Sequence, residues 1–225
     1  MPETLVRADA LGRAYGGGGA RVIAVQGATF TVLTGDTVAL AGPSGSGKST
    51  LLHLIAGLDA PTSGSISWPA IGDRGSLRPG PVAMAFQGPS LLPPLTVAEN
   101  VALPAILGGQ DESEATAAAL DLLQMFEVDA LADKLPEELS GGQSQRAGLA
   151  RAFSGSPRLV LADEPTGQQD SATGGRLLDA ILTVAALAGA ALMVATHDAS
   201  VADRLAAHWT MRDGILRTAE QACSA

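Results

Sequence analysis

Residues 37–58 read TVALAGPSGSGKSTLLHLIAGL, and this stretch decides the fold. A short apolar segment leads into a turn rich in Gly and Ser, which leads into a segment whose apolar residues repeat with helical spacing. The turn at residues 42–49, GPSGSGKS, matches the pattern G-x-x-x-x-G-K-[ST]. The stretch therefore predicts a strand, a phosphate-binding loop and a helix whose buried face is formed by Leu51, Leu54, Ile55 and Leu58.

The chemistry of this loop suits a phosphate chain. Glycines allow several backbone N–H groups to converge on phosphate oxygens, and the following helix adds the positive end of its dipole. Lys48 can reach the β- and γ-phosphates, and the Ser49 hydroxyl can ligate Mg²⁺. A merely flexible turn is the alternative, but the strand before the loop and the helix after it favour nucleotide binding. The predicted nucleotide-binding residues are Gly42, Pro43, Ser44, Gly45, Ser46, Gly47, Lys48, Ser49 and Thr50.

Length and composition indicate one folded domain, residues 1–225. Apolar residues make up 46% of the chain, which is enough for a core and excludes wholesale disorder. The 14 Lys and Arg against 23 Asp and Glu give a net charge of −9, which argues against nucleic acid as a partner. The single cysteine, Cys223, excludes an internal disulfide and a multi-cysteine metal site.

Apolar periodicity divides the chain into three parts. In the first part we predict short strands at Leu5–Ala8, Arg21–Val25, Thr29–Leu33 and Thr37–Ala41, with a glycine hinge at Gly16–Gly19. An inserted helical sub-lobe spans residues 87–156, with helices at Thr96–Leu107, Glu112–Phe126 and Gln143–Ser154. The last part alternates a strand at 159–163, a helix at 171–188 and a strand at 191–196. This alternation predicts a parallel sheet covered on both faces.

The longest uncharged apolar run, Ala180–Thr196, is divided by Gly189 and is interpreted as a buried helix followed by a buried strand. The N-terminal residues include Glu3 and Arg7 and lack the apolar core of a signal peptide. We therefore expect a soluble, intracellular protein that meets a membrane through a partner.

Residues 159–163, LVLAD, end in an acid and are followed by another. An acid at the end of a buried strand is costly without a partner, so we interpret Asp163 as a Mg²⁺ ligand. Glu164 is then placed to orient or deprotonate the attacking water. A helix-capping Asp is the alternative for this pair taken alone, and the phosphate-binding loop upstream favours the metal site.

A second helix N-terminus with little side-chain bulk follows Leu139, in the sequence LSGGQ at residues 139–143. Ser140 can cap a helix whose first turn holds two glycines, which would make a second anion-binding site in one chain. An ordinary N-cap is the alternative. Two phosphate sites and one nucleotide per chain are explained by a head-to-tail dimer, in which each second site closes over the partner's γ-phosphate.

In this order, GPSGSGKST, Gln87, LSGGQ, LVLADEP and Thr196-His197-Asp198 resemble the nucleotide-binding subunit of an ABC transporter over essentially the whole chain. The resemblance implies an α/β fold: a P-loop NTPase (RecA-like) core with an N-terminal antiparallel β lobe and the inserted helical lobe. It implies ATP and Mg²⁺ as cofactors. Residues 88–104 and ADEPTG at 162–167 are similar to the macrolide-exporter, lipoprotein-release and cell-division ATPases of the family.

The resemblance also implies a role for each matching position. Tyr15 would stack on adenine, with a surface tyrosine beside a glycine loop as the alternative, and Asp170 would lie at the dimer interface. The implied catalytic residues are Glu164, His197 and Gln87, and the implied metal ligands are Ser49, Gln87 and Asp163. The partner's nucleotide would be bound by Ser140, Gly141, Gly142 and Gln143.

The chain departs from the family pattern at three places. Gln168-Gln169 stand where Asn-Leu is usual, which puts a polar side chain where an apolar one packs. Gly148 lies inside the helix after LSGGQ, at a cost of up to about 1 kcal/mol relative to Ala. The stretch 65–81 is short for the subfamily.

For function, the resemblance implies an ATPase subunit that pairs with a second ATPase subunit, expected to be identical. The pair would drive an integral membrane permease from the cytoplasmic face of the inner membrane, in an exporter or mechanical-transmission system, with Gln87–Glu99 near the permease. An ATP-driven signalling subunit that switches a cell-wall enzyme stays open as an alternative. A DNA-repair type ATPase is disfavoured by the compact lobe and the acidic charge, and a catalytically dead module by the intact motifs. The cargo and a lipoprotein or extracytoplasmic component stay open.

Overall fold

The computed structural model describes residues 1–16, 21–88, 90–167 and 169–218. The predicted glycine hinge lies mostly outside the described residues, and Cys223 and Gln168 lie outside them altogether. The chain forms two compact units: the first draws on Met1–Leu77 and Ala191–Ala225, and the second is Arg78–Ala190.

The chain begins with three strands and continues with a mixture of helices and strands. In chain order they are β1 Thr4–Tyr15, β2 Val22–Leu33, β3 Thr37–Ala41, α1 Lys48–Ile55, β4 Ser63–Ser67, β5 Val82–Ala85, α2 Val97–Leu107, α3 Glu112–Met125, α4 Gly141–Phe153, β6 Leu159–Asp163, α5 Ser171–Ala188, β7 Ala191–Thr196, α6 Ala199–Ala202, β8 Ala207–Arg212 and β9 Ile215–Arg217. Two short 3-10 turns, Asp129–Leu131 and Pro136–Glu138, lie between α3 and α4.

An antiparallel three-stranded sheet of order β2-β1-β4 opens the first unit, which confirms the predicted β lobe. The division of residues 21–33 into two strands was wrong, because β2 runs unbroken from Val22 to Leu33. Gly27 adopts a φ of 61° there, and the β1–β2 register shifts between Leu11 and Arg13. A bulge at the glycine therefore absorbs the interruption that the sequence pattern indicated.

The parallel strands of the first unit carry the phosphate-binding loop. β3 pairs in parallel with β7 on one side and with β8 on the other, and β9 returns antiparallel to β8. The sequence analysis missed the β8–β9 hairpin, although Asp213-Gly214 between two apolar segments is a strong hairpin signal. Helix α1 buries Leu51, Leu54 and Ile55 as predicted. Leu58 is 43% exposed, so its predicted burial was wrong, because the helix ends at Ile55.

The second unit packs helices against a parallel pair of strands, β5 and β6. Its core includes Leu123, Leu149 and a stacked pair of rings, Phe126 and Phe153, whose centroids lie 5.9 Å apart. Helix α4 begins at Gly141, two residues before the predicted start, because Ser140 is its N-cap. The strand at 159–163 and the helix at 171–188 lie at the predicted positions. Among the helices of the described segments, none has the length and apolar character needed to cross a bilayer.

Candidate nucleotide site

The phosphate-binding loop joins β3 to α1 by close backbone packing. The Gly42 N–H donates to the Thr196 carbonyl at 3.2 Å, and a Cβ on Gly42 would collide with the Met211 carbonyl oxygen. Gly47 has a φ of 105°, and a Cβ there would collide with the Ala24 carbonyl oxygen. Both positions therefore require glycine. Gly42 has no space for a side chain, and Gly47 has neither the space nor a backbone conformation that other residues readily adopt.

The first turn of α1 combines the Lys48 ammonium with the backbone N–H groups of a helix N-terminus. The N-cap of α1 is Gly47, which has no side chain, so within the described loop no side-chain hydrogen bond caps the first helical turn. Lys48 is 6% exposed, and its ammonium donates to the carbonyls of Gly42 at 2.8 Å and Pro43 at 3.1 Å. Uncapped amides at a helix N-terminus, with a lysine beside them, form an anion-binding site.

His197 lies beside this loop within the first unit. It follows Thr196 at the end of β7, and Thr196 pairs with Ala41, the last residue before the loop. The His197 side chain is exposed. The next residue, Asp198, caps α6, and the hydrogen bonds that its carboxylate accepts from the Ser200 hydroxyl and N–H hold its pKa below the usual value. These bonds hold the backbone in place at the residue that directly follows His197.

In the second unit, Asp163 is the last residue of β6 and Glu164 follows it, and the two residues are 5% and 8% exposed. Glu164 has a φ of 49°. Residues other than glycine rarely adopt this left-handed backbone conformation, and it is often found at functional sites. Gln145 of α4 donates from Nε2 to the Glu164 carbonyl at 3.2 Å. This bond fixes the backbone of the acidic pair to the helix that begins at LSGGQ, and the sequence analysis missed it.

Gln87 follows β5 and is exposed. The loop after it is anchored by two side chains. Fully buried Asn100 accepts from the Leu92 N–H at 2.7 Å and donates to the Leu92, Leu95 and Thr96 carbonyls. Arg151 of α4 donates to Ser90 from the other side. The sequence analysis missed Asn100.

The LSGGQ segment forms a capped helix start, as predicted. The Gln143 N–H donates to Ser140 Oγ at 3.4 Å, and the Ser140 N–H donates to Gln143 Oε1 at 2.9 Å. Gly141 and Gly142 occupy the first turn, and Ser140 is exposed. The helix N-terminus therefore offers backbone N–H groups with little side chain in the way.

Asp170 and Gln169 lead into α5. The Asp170 carboxylate accepts from the Thr173 and Ala172 N–H groups at 3.0 and 3.1 Å, and these bonds hold its pKa below the usual value. Both amide atoms of Gln169 are enclosed, and neither has a hydrogen-bond partner within the described part of the chain. The polar residue that replaces the family's apolar one is therefore poorly accommodated.

The residues predicted to hold Mg²⁺ offer a hydroxyl from Ser49, a carboxylate from Asp163 and an amide oxygen from Gln87. These are hard oxygen donors, which Mg²⁺ prefers. Across residues 1–16, 21–88, 90–167 and 169–218, no group of three or more His, Cys, Asp or Glu is placed to hold a metal ion. Since Mg²⁺ commonly binds through one or two carboxylates together with substrate phosphates, this donor set fits the ion.

Two sequence comparisons agree on one family. Residues 25–167 match the family model described as "ABC transporter". The chain is 41% identical over 220 residues to the lipoprotein-releasing system ATP-binding protein LolD of Xanthomonas campestris pv. campestris, covering 95% of this chain and 92% of that protein. It is 40% identical, again over 95% of its length, to the LolD protein of Xanthomonas axonopodis pv. citri.

Solved structures match over nearly the whole chain. The ATP-binding cassette MJ0796, in a dimeric post-hydrolysis state bound to ADP and Pi, superposes with a TM-score of 0.86 at 34% identity, covering 95% of this chain and 97% of that one. A second dimeric structure of the same bacterial ABC transporter cassette gives a TM-score of 0.87. The cbiO1 protein of Clostridium perfringens shares the fold, with a TM-score of 0.81 at 24% identity.

Proposed function

The chain belongs to the ABC transporter family and is an ATPase of that family, and from this premise we propose that a head-to-tail pair of these chains powers lipoprotein release through a membrane permease. The observation that carries the proposal is that one chain has two helix N-termini suited to phosphate. One is uncapped and next to Lys48, and the other begins with Gly141 and Gly142. When two chains face each other head to tail, each nucleotide lies between the Lys48 helix start of one chain and the Gly141 helix start of the other.

Backbone N–H groups of residues 42–50 and the Lys48 ammonium bind the phosphates, and the Tyr15 ring stacks on adenine. The carboxylate of Glu164 accepts a proton from the attacking water, and His197 holds the γ-phosphate in place. Gln87 orients the water.

Mg²⁺ would be held by Ser49, Asp163 and Gln87, and when bound it neutralises charge that develops on the phosphate oxygens. Ser140, Gly141, Gly142 and Gln143 bind the γ-phosphate of the partner chain's nucleotide, and Asp170 lies at the interface between the two chains. Closure of the pair therefore depends on ATP, because the γ-phosphate is the group that both chains share.

The cargo assignment rests on the relatives. Two proteins with about two fifths of their residues identical over nearly the whole chain are named as lipoprotein-releasing ATP-binding proteins. We place the permease contact on the helical sub-lobe 87–156 and the working position at the cytoplasmic face of the inner membrane. The sub-lobe contains Leu92 and Leu107, which are 43% and 62% exposed.

Glu164→Gln tests the chemical part of the proposal. Glutamine keeps the shape of the side chain but cannot act as the base, so we expect hydrolysis to fall by at least about 10²-fold while ATP still binds. Light scattering should show an ATP-dependent dimer that is absent with ADP. Glu114→Gln, at an exposed position on α3, is the matched control. Hydrolysis by Glu164→Gln at the rate of the unaltered chain would contradict the assignment.

The cargo part is tested in vesicles that hold the chain together with its co-purified permease. Adding an acylated lipoprotein should stimulate hydrolysis and release the lipoprotein from the vesicle. The same polypeptide with its acylated cysteine replaced by serine should do neither. Equal stimulation by both forms, or by neither, would contradict lipoprotein release and leave the ATPase assignment standing.

A further inference from the structure

One cluster in the first unit has no role in the reaction as assigned above. Arg13 and Asp59 form a side-on, two-bond ion pair: Arg13 Nε donates to Asp59 Oδ2 at 2.8 Å, and Arg13 Nη2 lies 2.8 Å from Asp59 Oδ1. Both side chains are partly buried, with 22% and 21% of their surface exposed. This bidentate geometry is the strong and directional form of the Arg–carboxylate interaction.

The Tyr15 ring is held by both members of this pair. Its hydroxyl donates to Asp59 Oδ2 at 2.7 Å. The Arg13 guanidinium carbon lies 4.4 Å from the centre of the ring, in cation–π contact with one face. The edge and one face of the ring are therefore fixed by a single network, although 39% of Tyr15 is exposed.

Asp59 is well suited to anchor this network. Partial burial opposes its ionisation, but the hydrogen bonds from Tyr15 and from the Ala60 N–H, together with Arg13, hold its pKa below the usual value. The Asp59 N–H donates to the His53 carbonyl in the last turn of α1. The network thus ties the aromatic residue to the helix that begins at Lys48 of the phosphate-binding loop.

We propose that Arg13 and Asp59 are positioning residues for the nucleobase, because together they hold the Tyr15 ring so that its second face receives the adenine. The inference rests on the proposed role of Tyr15. An exposed tyrosine ring samples several rotamers, and ordering it on binding costs affinity. Here that order exists before the nucleotide arrives, and the guanidinium excludes the base from one of the two faces.

The test separates base binding from phosphate binding. Arg13→Ala should weaken ATP, ADP and AMP by the same factor, about two- to fivefold, which is the range that one exposed cation–π contact contributes. Inorganic tripolyphosphate, which carries no base, should bind equally well to the variant and to the unaltered chain. In steady-state hydrolysis the change should appear in KM. Asp59→Asn should reproduce it, and Arg13→Lys, which keeps a cation beside Asp59, should restore part of the affinity.

Arg7→Ala is the matched control, because Arg7 lies on the same strand and is exposed. It should leave nucleotide affinity unchanged. Since Tyr15 is the only tyrosine in the sequence, its ring carbons can be observed alone by NMR in tyrosine-labelled protein. In Arg13→Ala and Asp59→Asn, the ring should show averaging between rotamers that the unaltered chain does not show.

The outcomes distinguish the proposed base site at Tyr15 from the proposed positioning role of Arg13 and Asp59. If Tyr15→Ala leaves the affinity for ATP unchanged, the base site proposed for Tyr15 is wrong. If Tyr15→Ala weakens ATP but Arg13→Ala and Asp59→Asn do not, only the positioning role is wrong. Tighter ATP binding by Arg13→Ala would show that the guanidinium competes with the base, and it would overturn the inference. A weaker interaction with tripolyphosphate would also overturn it, because it would show a general structural defect.

Discussion

Arg151 donates two hydrogen bonds to Ser90, from Nη1 to the carbonyl at 2.7 Å and from Nη2 to the hydroxyl at 2.9 Å. Burial lowers the pKa of Arg151, because removal from water disfavours the charged form. The pair joins the last turn of α4, the helix that begins at LSGGQ, to the loop that follows Gln87. One helix therefore carries the proposed second phosphate site at its start and supports the Gln87 loop at its end.

Arg151→Ala should destabilise the protein by about 1.5–3 kcal/mol, the usual contribution of hydrogen bonds from a charged donor. Ser90→Ala should cost less, because the carbonyl bond survives. Urea unfolding of both variants and of the double variant measures their coupling. Additive losses would show that the two side chains do not interact in solution.

Gly148→Ala should be tolerated and should stabilise α4 by up to about 1 kcal/mol. A Cβ at this position would lie 3.5 Å from Ser90 Oγ, which is ordinary van der Waals contact. Thermal unfolding measures the change, and Gly148→Leu, which must displace the Ser90 loop, should destabilise instead. Loss of stability in the alanine variant would mean that the glycine is needed for close approach.

Gln169→Leu should raise the free energy of unfolding by about 1–3 kcal/mol, because a buried amide that finds no partner among the described residues pays its full desolvation cost. The replacement also restores the residue type that is usual in the family. Urea unfolding of the monomer without nucleotide is the measurement, with Gln110→Leu at an exposed position as control. A less stable Gln169→Leu variant would show that the amide is satisfied in solution.

The Glu99 carboxylate should make a pH-dependent contribution to stability at the start of α2. Its carboxylate accepts from the Thr96 N–H at 2.7 Å and from the Thr96 hydroxyl at 2.9 Å, and these bonds lower its pKa. The stabilisation is therefore fully present above the unfolded pKa of about 4.3 and is lost as the pH falls through the lower folded pKa. The stability difference between the unaltered chain and Glu99→Gln should shrink over that range. A difference that does not change with pH would exclude the carboxylate as its cause.

Ser140→Arg should block hydrolysis, because a bulky side chain at the second phosphate site obstructs closure over the partner's γ-phosphate. Ser113→Arg, on the exposed first turn of α3, is the matched control and should hydrolyse ATP normally. Mixing Ser140→Arg with Lys48→Ala should restore one complete site per pair, which is detected as ATP trapped in the mixture. Full hydrolysis by Ser140→Arg alone would contradict the shared site.

The sequence predicted most of the fold because its decisive signals are local. The loop at residues 42–49, the capped helix at LSGGQ and the acidic end of LVLAD depend on neighbours within a few positions along the chain. Where local signals were weak, the prediction was wrong or silent: β2 continues through Gly27, and the β8–β9 hairpin was missed. The site residues were likewise recognised from motifs, although their roles remain predictions.

By itself, the sequence determined the phosphate-binding loop, the order of strands and helices, and the family. Such features follow from backbone conformations and capping bonds that adjacent residues specify. Only the tertiary structure decided which side chains support the site. Arg13 meets Asp59 across 46 positions, and Arg151 meets Ser90 across 61. Contacts of that separation depend on how the elements pack, and no local pattern specifies the partner of a guanidinium before the chain has folded.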